Sequence, residues 1–249
     1  MKNPTPRALL SRRLLATITI AGGTSAHAAT LAQYGFNITA TPGTVSSVPS
    51  GLTATAATLA FPTNASQVGG GTSGLNPIEG ARTVFTFAAS LADSATPALA
   101  GGVVDFSLTP DAGQQITLDL TNGATWQFLA YDGTINAAPY TVYTQLVVAS
   151  DAAFTNVLAQ SSIFSATGNG TGFDNSRWGP VTTGSLNSSV TSSSTLYFRL
   201  TASDSLPSGD HQLRFDNINI NGTVSAVPEP AAALLGGLGL LGLLRRRRN

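Results

Sequence analysis

The sequence predicts an all-β protein, a two-sheet antiparallel β-sandwich or jelly roll, and three observations carry that expectation. Apolar residues recur at every second position through short runs. In "QITLDL", Ile116, Leu118 and Leu120 alternate with Thr117 and Asp119; in "TLYFRL", Leu196, Phe198 and Leu200 alternate with Tyr197 and Arg199. No long stretch of the body repeats at the helical period. Thr, Ser, Gly and Asn fill the connections, as they do between short strands. Roughly ten strands in about 200 residues pack most simply as two facing sheets.

The elements follow in chain order. "RTVFTF", "VVDFSL" and "QITLDL" each read as a strand with one apolar face. After "QITLDL", Asn122-Gly123 predicts a tight hairpin turn, because Asn-Gly supports the positive φ angles that such turns need. The alternation resumes with Trp126, Phe128 and Ala130 on one side, which makes Trp126 a core residue. "TQLVVAS" and "TLYFRL" supply two further strands. In "HQLRFDNINING", Leu213 and Phe215 share one parity while Ile218 and Ile220 share the other. The apolar face therefore switches at Asp216-Asn217, as a β-bulge would make it. No repeat of fixed period suggests a solenoid or propeller. Strands without aromatic girdles or regular length argue against an outer-membrane barrel.

The two ends differ from the body. Lys2, Arg7, Arg12 and Arg13 precede the apolar run Leu14 to Ala21, and Ala26-His27-Ala28 has the small-x-small pattern that signal peptidase accepts at Ala26 and Ala28. Residues 1–28 are thus expected to be a signal peptide, helical in its apolar run, handed to the Sec translocon. "SRRLLA" faintly resembles a twin-arginine motif but lacks the usual Phe, and no cofactor site demands folded export. Residues 29–226 form the expected sandwich domain, and 227–249 a separate tail. Within 29–226 only Arg82, Arg177, Arg199 and Arg214 oppose eleven acidic residues, a net of −7 (4 − 11). The formal neutrality of the whole chain comes from its two ends. So acidic a body does not neutralise a run of phosphates, which excludes nucleic acid as a partner. The chain has no cysteine, so disulfide and thiol chemistry are excluded, and a domain of this size buries enough surface without staples.

The tail reads "VPEPAAALLGGLGLLGLLRRRRN". Its apolar run 231–244 holds seven Leu, three Ala and four Gly. As a helix it spans roughly 21 Å against a hydrocarbon core of ~30 Å. Seven leucines favour insertion by about 3.5 kcal/mol before the glycines weaken the helix. That suits a single transmembrane segment that pauses in the inner membrane. By the positive-inside rule Arg245, Arg246, Arg247 and Arg248 stay cytoplasmic, placing Pro228, Glu229 and Pro230 at the outer face. In order and spacing this segment resembles the PEP-CTERM sorting signal of Gram-negative bacteria. That resemblance implies recognition of Pro228-Glu229-Pro230 by an exosortase, a membrane-embedded transpeptidase or protease, with the four arginines as stop-transfer latch. It also implies a place in the cell envelope or extracellular matrix of cells that produce exopolysaccharide.

No catalytic site is expected. The mature chain has one histidine, His211, at a turn into a strand, and no Gly-x-Ser-x-Gly elbow accompanies any serine. Paired carboxylates of a glycosidase type are the remote alternative, with no pair singled out by the sequence. The best candidate for ligand binding is "GNGTGFDNSRWGP", where Phe173 and Trp178 would stack on sugar rings beside Asp174 and Arg177. The alternative for Trp178 is a plug under its own loop. The stretch "FRL…RFDNINING" resembles the closing strands of jelly-roll carbohydrate-binding modules. That resemblance implies a structural calcium, with Asp216 as candidate ligand; an Asp bonded to the bulge backbone is the simpler alternative. No other cofactor is expected. Two functions stay open: a non-catalytic structural protein of the envelope or matrix, and a glycan-binding module engaging exopolysaccharide.

Overall fold

The computed structural model describes residues 29–35, 44–59, 65–68, 83–88, 95–132, 140–168, 182–205, 210–227 and 245. Their strands form two antiparallel sheets that face each other across one core. One sheet comprises β1 (Ala29–Gly35), β2 (Thr44–Ser47), β5 (Ala65–Val68), β6 (Thr83–Ala88), β8 (Gln114–Leu118), β9 (Ala124–Asp132), β13 (Thr182–Gly184), β14 (Thr191–Ser192) and β16 (Asp210–Ala226). The other comprises β3 (Leu52–Ala54), β4 (Thr58–Leu59), β7 (Gly102–Pro110), β10 (Tyr140–Ala149), β11 (Val157–Gln160), β12 (Phe164–Gly168) and β15 (Leu196–Asp204). The sixteen strands among the described residues exceed the ten expected because several are two to four residues long and carry no readable alternation. The chain passes repeatedly from sheet to sheet, as in a jelly roll, and the all-β sandwich is the observed fold.

Strand β16 is the spine of the larger sheet. Its first half pairs with β6 on one side and β9 on the other; its second half pairs with β1 and β8. The expected bulge lies where parity switches: β16 advances from Asp216 to Asn219 while β9 goes only from Gln127 to Thr125. Asn217 adopts φ 52° there, a left-handed conformation that Asn tolerates better than most residues. Beyond it, Ile218 and Ile220 point into the core.

The expected hairpin at Asn122-Gly123 is not formed. β8 and β9 do not pair with each other; both run antiparallel to β16, end to end, so residues 119–123 make an excursion between two strands of one direction. Neither Asn122 nor Gly123 takes a positive φ. Asn221 of β16 holds the excursion: its backbone NH donates to Gly123 O (3.0 Å), its side-chain amide donates to Asn122 O (2.8 Å), and its carbonyl accepts from Asp119 N (3.0 Å). Leu120, expected on the apolar face, falls in this excursion and is exposed.

The core is built from facing pairs. Trp126 is fully buried, its indole NH donates across the sheets to Thr144 Oγ1 (3.1 Å), and its ring meets Phe164 edge-on at 5.3 Å. A Cβ on Gly184 would approach the Trp126 ring to 2.7 Å, so the strand beside the indole needs glycine. Tyr34 meets Phe106 at 4.5 Å, and Phe106 stacks on Phe198 at 5.1 Å. "TQLVVAS" departs from simple alternation: Leu146, Val147, Val148 and Ala149 are all buried, because a loop covers the outer side of β10 as well.

Two substitutions test this packing. Trp126→Ala is expected to cost about 3–5 kcal/mol in denaturant unfolding, as for other buried aromatics. The Tyr34 hydroxyl is buried without a hydrogen-bond partner, and burial pushes its pKa well up. Tyr34→Phe is therefore expected to leave stability unchanged or raise it by up to about 1 kcal/mol. A loss of stability from this change would show that the hydroxyl is satisfied after all.

Candidate functional site

The smaller sheet carries a built feature on its outer face that alternation alone did not reveal. Residues 150–156 fold over the ends of β10 and β15 around Asp151. Its carboxylate accepts from Ala153 N (3.1 Å), Thr155 N (3.0 Å), Thr155 Oγ1 (3.1 Å) and Asn156 N (2.7 Å). These donors, the Thr155 and Asn156 amides foremost, hold the Asp151 pKa below its ordinary range. The loop closes with Phe154 at φ 56°, a conformation costly for an aromatic residue and maintained by its surroundings. Phe154 packs with Val147 and Ala149 in a second, smaller apolar cluster.

Arg199 covers that cluster. Its guanidinium lies 4.2 Å from the Phe154 ring centroid and grips Asp105 through two bonds, Nε to Oδ1 (2.8 Å) and Nη2 to Oδ2 (2.6 Å). Nη1 donates to Leu99 O (3.2 Å). Bonding to Asp105 raises the Arg199 pKa, against the opposite pull of partial burial. Beside the pair lies an open cleft of about 280 Å³, lined by Thr55, Thr58, Asp105, Ser107, Phe154 and Tyr197. Thr55 extends the ladder beyond β3, its NH donating to Ser107 O (3.0 Å) and its hydroxyl accepting from Ser107 N (2.8 Å). The cleft thus offers hydroxyls and an aromatic wall, while both oxygens of its carboxylate are engaged by the guanidinium. That chemistry suits hydrogen bonding to a polar ligand better than proton transfer.

The residues singled out from sequence fall elsewhere. Phe173, Asp174, Arg177 and Trp178 lie outside the described residues, as do Ala26 and Ala28. Pro228, Glu229, Pro230 and Arg246 to Arg248 also lie outside them, as does the apolar run 231–244; Arg245 is described and exposed. Among the described residues no helix is long and apolar enough to cross a membrane. The backbone of Asp216 pairs with Gln127 at the bulge, and its side chain lies outside the described set. Among the described residues no three His, Cys, Asp or Glu side chains gather where a metal ion would sit, so no role is derived for calcium. The Asp105–Arg199 pair had one readable signal: Arg199 is among only four cations in the body and occupies an outward position of an alternating strand.

What the structure does show of the tail is its attachment. β16 stays paired through Ala226, opposite Gln114, and Val227 N still donates to Gly113 O (2.8 Å). Pro228 is the next residue. Residues 226–248 match the family model described as "PEP-CTERM protein-sorting motif". The chain carries a PEP-CTERM sorting motif. That motif marks an exported protein with a C-terminal, membrane-anchored sorting signal and an exosortase as its processing partner. No curated protein matches the chain. It is similar to a solved structure described as "Structural basis for the promiscuous specificity of the carbohydrate-binding modules from the beta-sandwich super family". The two are 14% identical with a TM-score of 0.28, over 68% of this chain and 56% of that one.

Two variants test the outer-face feature. Asp105→Asn is expected to cost about 1–2 kcal/mol, more than a typical surface pair, because the bond is bidentate and half-buried. Asp151 has a depressed pKa, so its contribution is complete above the ordinary carboxylate range and is lost as pH falls through the lowered value. Stability measured against pH should lose part of its acid limb in Asp151→Asn, and an unchanged limb would refute the assignment.

Proposed function

We propose that this PEP-CTERM protein is a non-catalytic component of the cell envelope or extracellular matrix. On this reading Sec exports it, signal peptidase cleaves after Ala28, and the tail holds it at the inner membrane until an exosortase acts near Pro228-Glu229-Pro230. The observation that carries the proposal is the sorting motif itself, joined without a break to a folded sandwich. A non-catalytic role agrees with a cleft whose acid is locked to an arginine.

A second reading, a module that engages exopolysaccharide through Phe173 to Trp178, has one structural argument in its favour. The chain leaves the described sandwich at Gly168 and returns at Thr182. Gly168 pairs with Tyr140, the start of β10, and Thr182 precedes residues that run back along β9 from Trp126 to Ala124. Both anchors thus point toward the end of the sandwich opposite Val227.

Intact-mass analysis of the protein from envelope and medium fractions tests the first reading. The expected mass lacks residues 1–28 and the segment after Pro-Glu-Pro. A mature form that keeps Arg245 to Arg248 would make the tail a plain anchor and defeat the proposal. Retention on an exopolysaccharide resin, abolished by Trp178→Ala, would establish the second reading.

A further inference from the structure

We infer that one particular end of the sandwich rests against the lipid headgroups in the membrane-tethered precursor; the inference rests on the sorting reading above. That end is formed by the turns at residues 48–51 and 111–113. They are stitched together where β16 finishes: Asp111 N donates to Gly51 O (3.0 Å), Gln114 N to Asp111 O (2.9 Å), and Val227 N to Gly113 O (2.8 Å). A folded β16 leaves no slack. Only Pro228, Glu229 and Pro230 separate Val227 from Ala231, where the apolar run begins. Four Cα–Cα steps reach at most about 14 Å, comparable with the interfacial layer plus the first contact shell above it.

The other end of the chain agrees. β1 runs antiparallel to β16 and begins at Ala29, opposite Gly222, on the half of β16 nearer Val227. The chain therefore enters the described sandwich at Ala29 from the same side as it leaves at Val227. The opposite end, where β10 starts at Tyr140, stands about 33 Å away along a ten-residue strand.

Charge does not hold this end to the membrane. Its described charged groups are Asp111 and Asp151, which an anionic headgroup repels, and its exposed large apolar side chains are Val48 and Val227. The contact is imposed by the tether alone, so cutting the tail frees the domain.

The absence of cysteine allows a direct test on residues 29–249, the tail-bearing chain left once the signal peptide is removed. Ala112→Cys and Thr167→Cys place a single fluorophore at the near and far ends respectively; both positions are exposed. Each protein is reconstituted into phosphatidylethanolamine–phosphatidylglycerol vesicles containing headgroup spin-labelled phosphatidylcholine. Quenching is expected to be severalfold stronger at position 112 than at 167. It should fall to the level at 167 when a Gly/Ser segment of about twenty residues, spanning roughly 25 Å, follows Val227. A chain of residues 29–227 should not float with the vesicles. Equal quenching at the two positions, or quenching at 112 that survives the insertion, overturns the inference. If residues 29–249 themselves fail to float, the tail does not insert and the sorting reading falls with it.

Discussion

The pairing of β16 is the constraint on which the rest of this structure depends. Seventeen residues of one strand meet four others, and each pair is distant in sequence. A straight strand of that length would carry one face throughout. The bulge at Asn217 re-phases it, so that Ile218 and Ile220 enter the core beneath β1 and β9. The same strand organises its neighbours by simple side-chain chemistry. Asn221 stitches the 119–123 excursion, and Gly222 lets Leu31 and the Thr117 carbonyl close in where a Cβ would collide. β8 and β9 become one interrupted strand only because β16 is long enough to pair with both.

Two kinds of burial then coexist in the smaller sheet. Its inner face meets the larger sheet through Trp126, Phe106 and Phe198, a contact of ordinary apolar surface. Its outer face is covered at one end by Phe154 and Arg199, where the covering is polar above and apolar below. An arginine suits that position because its planar, weakly hydrated head can lie on a ring while its edge binds a carboxylate. Asp151 does the complementary work, gathering four donors so that Phe154 can be held at an unfavourable φ. The cleft beside them shares two walls with this cover, Asp105 and Phe154.

Much of this was legible in the residues. Alternation located the long strands, the parity change in "RFDNINI" located the bulge, and Trp126 proved to be core. What was not legible was partnership. Asn122-Gly123 has the composition of a hairpin turn, yet the preferred partner of "QITL" lies more than a hundred residues away, and local propensity gives way to the longer ladder. The short strands β4, β13 and β14 exist because neighbours offer them hydrogen bonds, a property no local pattern records. The Asp105–Arg199 pair joins two strands whose adjacency is likewise set by topology. The tail was the opposite case. Pro-Glu-Pro, an apolar run and terminal arginines form a linear signal read by other machinery, so nothing about its recognition had to be deduced through the fold.

The two kinds of information meet at Val227, and their meeting gives the molecule a direction. A linear signal needs a short, extended approach to the membrane; a sandwich needs its longest strand paired to the end. This chain satisfies both by letting the signal begin at the last ladder pair. On the inference drawn above, the tether orients the domain as well as retaining it. The described residues Asp132, Tyr140, Gly168 and Asp210 all lie at the other end of the sandwich. The body's net charge of −7 acts in the same sense (four arginines against eleven acids). Against an anionic leaflet it opposes adhesion once the covalent link is cut. On the proposed reading, attachment resides in the tail and exposure in the sandwich, a division that suits a protein handed on from the membrane.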